Sequence, residues 1–187
     1  MQPFDMAAIL ATSFDDLGIR YMIGGSVAST YYGEPRTTLD LDIAMEADVT
    51  QVRMLAARIS RDFYVDAEDA VDAVRNAGSF NLIHYETSTK IDIFVAERRP
   101  EVREQMDRRR PIEFEGTKLW ICTAEDIVVQ KLRWYRLGNE VSERQWRDVV
   151  SVLRMKRGDL DHRYMDRIAD AFDVRDLLEY ARQDAEN

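Results

Sequence analysis

Two rhythms of hydrophobic and polar residues run along this chain. Phe4, Ala7, Leu10, Ala11, Phe14 and Leu17 recur at spacings of three and four, which predicts a helix over residues 3–17 that Gly18 ends. Tyr21-Met22-Ile23 then reads as a short apolar strand running into Gly24-Gly25-Ser26, and a short helix follows through Tyr32 until Gly33-Glu34-Pro35 breaks it. Strict alternation from Leu39 to Ile43 makes residues 38–45 (TLDLDIAM) a strand, with Leu39, Leu41 and Ile43 turned to the core. Val52, Leu55, Ala56 and Ile59 mark a helical face over 50–61. Phe63-Tyr64-Val65 reads as a strand, 67–76 as a short helix, and 81–86 with 90–95 as a hairpin around Thr87-Ser88-Thr89. The stretch 97–111 is too charged to assign, and 112–122 contains a strand or hairpin centred on Leu119-Trp120-Ile121-Cys122.

From Thr123 onward only the helical rhythm remains, over 124–137, 142–155, 161–171 and 173–184. The first of these opens on Thr123 and Asp126, a capping box with Asp in place of the usual Glu. The expected architecture is therefore α+β: a mixed sheet flanked by helices over residues 1–122, and a helical subdomain over 123–187 packed on that core. A length of 187 residues suits one domain with such an appendage.

Composition narrows the function. With 45% hydrophobic and 33% charged residues, the chain is neither a disordered tail nor a fibre. No apolar run approaches the roughly 20 residues that span a bilayer, so no membrane partner is expected. The N-terminus lacks the basic region of a secretory signal. Cys122 is the single cysteine and His84 and His162 stand apart, which excludes an internal disulfide and points away from a cysteine- or histidine-built metal centre. A reducing cytoplasm is the expected location. The net charge of −9 argues against non-specific coating of nucleic acid.

The candidate chemistry lies in the acids. Asp40 and Asp42 are two apart on a predicted strand, so they share one face. A bare pair of carboxylates is costly, and a divalent cation relieves it; oxygen-only ligands favour magnesium or manganese. Lys90-Ile91-Asp92-Ile93-Phe94-Val95 is a second alternating strand that puts Asp92 on one face with Lys90 and Phe94. If the two strands lie side by side, three carboxylates meet on one sheet face, as a two-metal phosphoryl-transfer site requires. Asp40 and Asp42 would hold metal, and Asp92 would hold a second ion and help deprotonate an attacking hydroxyl. Upstream, the Gly24-Gly25-Ser26 turn lets backbone amides approach a phosphate at a helix N-terminus. The Ser26 hydroxyl either binds a phosphate oxygen or caps the helix. Arg36, just before the acidic strand, either pairs with phosphate or is a solvated loop cation.

Order and spacing add to this. Ile23-Gly24-Gly25-Ser26, then Asp40-Leu41-Asp42-Ile43, then Asp92 in KIDIF resembles the polymerase-β-like nucleotidyltransferase superfamily over roughly residues 20–95. That resemblance implies transfer of a nucleoside monophosphate from a nucleoside triphosphate to an acceptor hydroxyl, with magnesium or manganese as cofactor. Gly25 and Ser26 would hold the β- and γ-phosphates. TAEDIVVQKLRWYR followed by RQWRDVVSVLRM is similar to the C-terminal part of small bacterial nucleotidyltransferase proteins and of the toxin component of abortive-infection, type IV toxin–antitoxin systems. In that group a helix lysine and a later helix aspartate belong to the active site, and Lys131 and Asp148 occupy the matching places. The acceptor is left open among a tRNA end, a protein hydroxyl and a small molecule, and an antitoxin is an implied partner. The alternative is a non-catalytic nucleotide-binding or regulatory module.

The residues themselves qualify two of these roles. Lys131 falls inside the apolar stripe of Ile127, Val128, Leu132 and Tyr135, so it needs a partner or must reach past the stripe edge to water. Asp148 lies nearly opposite the stripe of Trp146, Val149, Val150 and Leu153, facing either a cleft or solvent. Arg98, Arg99, Arg103 and Arg108-Arg109-Arg110 form the basic concentration, read as a solvated segment or an RNA-binding strip. Trp120, Trp134 and Trp146 are expected in the core, Cys122 as a small buried residue, and His84 as a satisfied sheet residue.

Overall fold

The computed structural model describes residues 3–186. In chain order the elements are α1 (Pro3–Asp16), β1 (Arg20–Ile23), α2 (Gly25–Tyr32), β2 (Leu41–Glu46), α3 (Val49–Ile59), β3 (Phe63–Tyr64), α4 (Ala67–Asn76), β4 (Ser79–His84) and β5 (Lys90–Val95). There follow α5 (Pro100–Arg108), β6 (Arg110–Phe114), β7 (Thr117–Ile121), α6 (Ala124–Leu137), α7 (Glu143–Met155), α8 (His162–Ala171) and α9 (Arg175–Glu186). The expected α+β class is the one observed. The chain divides into two compact units: residues up to Val27 with Thr38–Ile121, and Ala28–Thr37 with the residues from Cys122 onward.

The first unit is built on a mixed sheet of strand order β3-β4-β5-β2-β1-β7-β6. β2 runs parallel to β5 and antiparallel to β1, while β4–β5 and β6–β7 are antiparallel hairpins. Period-two alternation decides which side chains enter the core. Leu41, Ile43 and Met45 of β2, Ile91, Ile93 and Val95 of β5, and Phe80, Leu82 and His84 of β4 are buried on one face. Each large aliphatic side chain so buried contributes roughly 1.5–3 kcal/mol. A one-residue slip of either strand would drive its acids into that core, so the register is strongly fixed. α1 and α4 pack on the sheet and α3 lies against both, through Val52, Leu55, Ala56 and Ile59. Asp48 caps α3 in a reciprocal box with Gln51, and Asp66 caps α4.

Three expectations for this unit change. β2 begins at Leu41, where its pairing with Ile91 begins, so Asp40 lies one residue before the strand rather than on it. Leu39, expected in the core, is 68% exposed because no strand holds it there. The unassigned charged stretch contains α5, a helix with Pro100 in its first turn and only Val102, Gln105 and Met106 buried.

The second unit is helical. α6 packs on α7, α8 and α9, and α9 on α7 and α8. Its core holds Ile127, Val128, Leu132, Val149, Val152, Met165, Ile168, Leu178 and Ala181. Thr123 accepts from the Asp126 N–H and donates to the Asp126 carboxylate at 2.8 Å, a variant of the expected capping box. Tyr164 also donates to Asp126, at 2.5 Å. The tryptophans are not core residues as expected: Trp134 is 51% exposed, and Trp120 and Trp146 are half-buried. Trp120 instead lies under the Arg109 guanidinium and Lys118 ammonium, a use of its ring face that a hydrophobic count does not register. Among the described residues no helix is long and apolar enough to cross a membrane.

Candidate active site

The face of the sheet opposite the buried one carries the acids. Asp42 and Asp92 are directly paired positions of the parallel strands β2 and β5. Their side chains therefore project side by side from the same face, and both are half-buried. The row continues in both directions across the sheet. Asn81 of β4 is the antiparallel partner of Asp92, and the Gly24 N–H at the end of β1 donates to the Asp42 carbonyl at 2.9 Å. One transverse line of backbone thus reads Asn81, Asp92, Asp42, Gly24, fixed by the ladder rather than by side-chain choice.

Two adjacent carboxylates need a positive charge. Lys90, two residues before Asp92 on the same face of β5, supplies one: its Nζ lies 2.8 Å from Asp92 Oδ1. The hydrogen bond to Asp92 raises the Lys90 pKa, slight burial acts against it, and the charges of Asp92, Asp40 and Asp42 raise it further. All three acids therefore act on a single ammonium. The sequence puts Lys90 on the face of Asp92 without giving it a role. Its signal is the spacing: opposite charges at i and i+2 on one strand share a face.

The donor chemistry fits a hard divalent cation, being oxygen-only with one side-chain cation already drawn among the acids. Among the described residues, however, no group of three or more histidine, cysteine, aspartate or glutamate side chains is gathered closely enough to hold a metal ion. Of the three acids, Asp92 is the one paired directly with the Lys90 ammonium.

The glycine turn borders this row. Gly25, the first residue of α2, has a φ of +52°. A Cβ built on it would fall 1.7 Å from Asp42 Oδ2 and 2.8 Å from Asp42 Cβ. Only glycine fits both constraints, so the turn and the acid are packed as one piece. Gly24 is not so confined, since an added Cβ there meets nothing within 4 Å. Ser26 follows, buried, at the N-terminal end of α2.

No family model matches the sequence, and no curated protein does. Solved structures do match. An antigenic nucleotidyltransferase-like protein from Paracoccidioides brasiliensis aligns at a TM-score of 0.61 and 18% identity, over 97% of this chain and 92% of that one. The chain has a nucleotidyltransferase-like fold. Also similar are ANT(2'')-Ia in complex with adenylyl-2''-tobramycin (TM-score 0.60, 12% identity, 92% of this chain and 96% of that one) and the lincomycin-bound lincosamide antibiotic adenylyltransferase LnuA (TM-score 0.50, 12% identity, 77% and 92%). At these identities the likeness is one of nucleotidyltransferase-like fold, and any inference about chemistry rests on the residues above.

Arg36, Lys131 and Asp148, the other expected site residues, form a network within the helical unit. Arg36 donates from Nε and Nη2 to the two oxygens of Asp148, at 3.0 and 2.8 Å, a bidentate clamp. Lys131 Nζ lies 2.8 Å from Asp148 Oδ2 and donates to Gln145 Oε1 at 3.0 Å, and Ser29 Oγ donates to Asp148 at 3.2 Å. Glu34 N–H donates to Ser151 Oγ at 2.6 Å, and Tyr32 Oη to the Cys122 carbonyl at 2.8 Å. The segment 29–36 is thereby tied to α7 and to the start of α6. Burial is the largest influence on Asp148 and pushes its carboxyl up. The hydrogen bonds and charges of Arg36 and Lys131 outweigh it and hold the group below the ordinary carboxylate range.

Asp148 does not face solvent, one of its two expected settings: it is buried, because α7 is covered on both sides from Asp148 through Leu153. The partner that the Lys131 position demanded is Asp148. Arg36 is held on Asp148 rather than being a solvated loop cation. His84 is buried with Nδ1 3.0 Å from Thr87 Oγ1, as a satisfied sheet residue should be, and Cys122 is buried.

Proposed function

We propose that this chain is a nucleotidyltransferase, moving a nucleoside monophosphate from a nucleoside triphosphate to an acceptor hydroxyl with release of pyrophosphate. The observation that carries the reading is the register pairing of Asp42 with Asp92 beside a turn whose Gly25 is packed against Asp42. A purely structural sheet gains nothing from paired carboxylates on an open face, whereas phosphoryl transfer needs them.

In this reading Asp40, Asp42 and Asp92 would hold magnesium or manganese. The metal supplies Lewis-acid neutralisation of the charge that develops on the phosphate oxygens. Gly25 and Ser26 present the start of α2 to the β- and γ-phosphates. Asp92 accepts the proton of the acceptor hydroxyl as its oxygen bonds to the α-phosphorus. The bond from that phosphorus to the bridging oxygen breaks, and pyrophosphate leaves with the electron pair.

For the acceptor we favour a small hydroxylated molecule. The net charge of −9 repels a polyanion, and two of the similar solved structures are antibiotic adenylyltransferases matched over nearly their whole length. A toxin acting on tRNA or protein beside an antitoxin would use the same transfer chemistry, with an acceptor that this charge does not favour. The test is incubation with each α-labelled nucleoside triphosphate and magnesium against tobramycin, lincomycin, total tRNA and a cell extract. Label should appear on a small molecule in the wild type and be lost in Asp42→Asn. Label on no acceptor, or equal label with the variant, would overturn the proposal.

A further inference from the structure

We propose that Tyr64, Ile83 and Asn81 form a shelf on the open face of the sheet that seats the acceptor, a small molecule whose ring carries hydroxyls and an apolar face, next to Asp92. The inference rests on the nucleotidyltransferase reading, with Asp92 as the group that takes the acceptor's proton. It starts from two transverse rows of the ladder. One is the row of Asn81, Asp92 and Asp42. The other lies two residues along the strands, where Tyr64 of β3 is paired with Ile83 of β4, and Ile83 with Lys90 of β5. Paired residues and residues two apart share a face, so both rows stand on the side away from the buried aliphatic residues. Tyr64 is 52% exposed and Ile83 39%, and Asn81 is exposed as well.

Reaction geometry decides what lies there. In phosphoryl transfer the attacking and leaving oxygens stand roughly in line, on opposite sides of the phosphorus. The leaving pyrophosphate belongs at Gly25 and Ser26, which follow β1, and from there the sheet runs β1, β2, β5, β4, β3. With the α-phosphate over Asp42 and Asp92 on β2 and β5, the acceptor comes in from β4 and β3, where the shelf is. Its dimensions suit one ring: strands about 4.8 Å apart set Tyr64 and Ile83 side by side, and the row of Asn81 lies about 7 Å away along the strands. Lys90 leaves the apolar row to these two, since its Nζ lies 2.8 Å from Asp92 Oδ1. The Tyr64 ring and Ile83 cover the C–H face of a saturated ring, and the Asn81 amide, which can both donate and accept, takes one of its hydroxyls. A cross-strand pair of tyrosine and isoleucine also helps to hold the two-residue edge strand β3; that use alone predicts a change in melting and none in acceptor affinity.

The experiment is steady-state label transfer by the full chain, from each α-labelled nucleoside triphosphate with magnesium, to tobramycin, to lincomycin and to the small-molecule fraction of a cell extract. The wild type is compared with Tyr64→Thr, Tyr64→Phe, Ile83→Thr, Asn81→Ala and Asp42→Asn, each melted in parallel. Threonine keeps the strand propensity while removing the ring or the aliphatic arm. For the small molecule that takes label, Tyr64→Thr, Ile83→Thr and Asn81→Ala should each raise the acceptor KM by roughly three- to tenfold, the size of one lost ring contact or hydrogen bond. The KM for the triphosphate should not move, and Tyr64→Phe should match the wild type, because the ring and not its hydroxyl does the seating. An unchanged acceptor KM in these three variants, or a rise in the triphosphate KM in its place, would overturn the inference. If Asp42→Asn still abolishes transfer, that failure touches the shelf alone. Absence of label from every small molecule with the wild type would overturn the shelf together with the acceptor reading beneath it.

Discussion

Truncating Asp148 should be among the most damaging single changes in the helical unit. Its side chain is 7% exposed and that of Lys131 5%, so Asp148→Ala removes a buried carboxylate from beside the Lys131 ammonium and also releases both arms of Arg36. Breaking a buried pair by removing one partner costs about 3–5 kcal/mol, against about 0–1 kcal/mol for an exposed pair. At roughly 2–4 °C per kcal/mol for a chain of this size, the melting temperature should fall by roughly 6–20 °C. The pH dependence follows from the depressed carboxyl. Its folded value lies below the unfolded value of about 3.9, so its stabilisation is fully present above that pH and is lost as pH falls through the folded value. The gap between wild type and Asp148→Asn should therefore stay constant from pH 5 to 8 and close only in stronger acid. Differential scanning calorimetry from pH 8 down into that stronger acid measures both effects. Lys131→Met with Asp148→Leu should recover most of the loss, because a hydrophobic pair of similar volume needs no counter-charge. A loss for Asp148→Ala of no more than about 1 kcal/mol would refute the reasoning, since it would put the pair in the exposed class.

Three further outcomes follow from other contacts. Gly25→Ala should strain a left-handed backbone by about 1–2 kcal/mol and push the Asp42 carboxylate aside, lowering both melting temperature and transfer, whereas Gly24→Ala should melt with the wild type. Tyr164→Phe removes a donor 2.5 Å from the buried Asp126 carboxylate and should cost about 1.5–3 kcal/mol in urea unfolding at unchanged m. Burial pushes the Cys122 thiol up, so a thiol reagent at neutral pH should label it only as fast as the chain unfolds; rapid labelling of the folded protein would contradict its burial.

The sheet and its acids were legible because period-two alternation is a local signal. Leu41, Ile43, Ile91 and Ile93 announce the buried face, and Asp42 and Asp92 follow on the other. The glycine turn was legible for a similar reason, as an abrupt break between strand and helix. Asp40 and Leu39 lie outside the strand: alternation does not reveal where pairing begins, and the ladder of β2 with β5 starts at Leu41 and Ile91. α5 was hidden by its charge, since it buries only three residues. Asp148 was misjudged because a helical wheel assumes one covered side, and α7 has two. The clamp from Arg36 to Asp148 joins residues 112 positions apart, and no periodicity records such a pairing. Asn81 is ordinary until the register sets it beside Asp92, whereas the spacing on β5 already puts Lys90 on the face of Asp92.

The most direct test is the rate of magnesium-dependent label transfer in Asp42→Asn and Asp92→Asn, each measured beside its melting temperature. Because the two side chains stand half-buried on a sheet whose opposite face carries the core, the account predicts unchanged melting and a fall of at least about 10²-fold in both variants. Transfer persisting at the wild-type rate in either folded variant would contradict it.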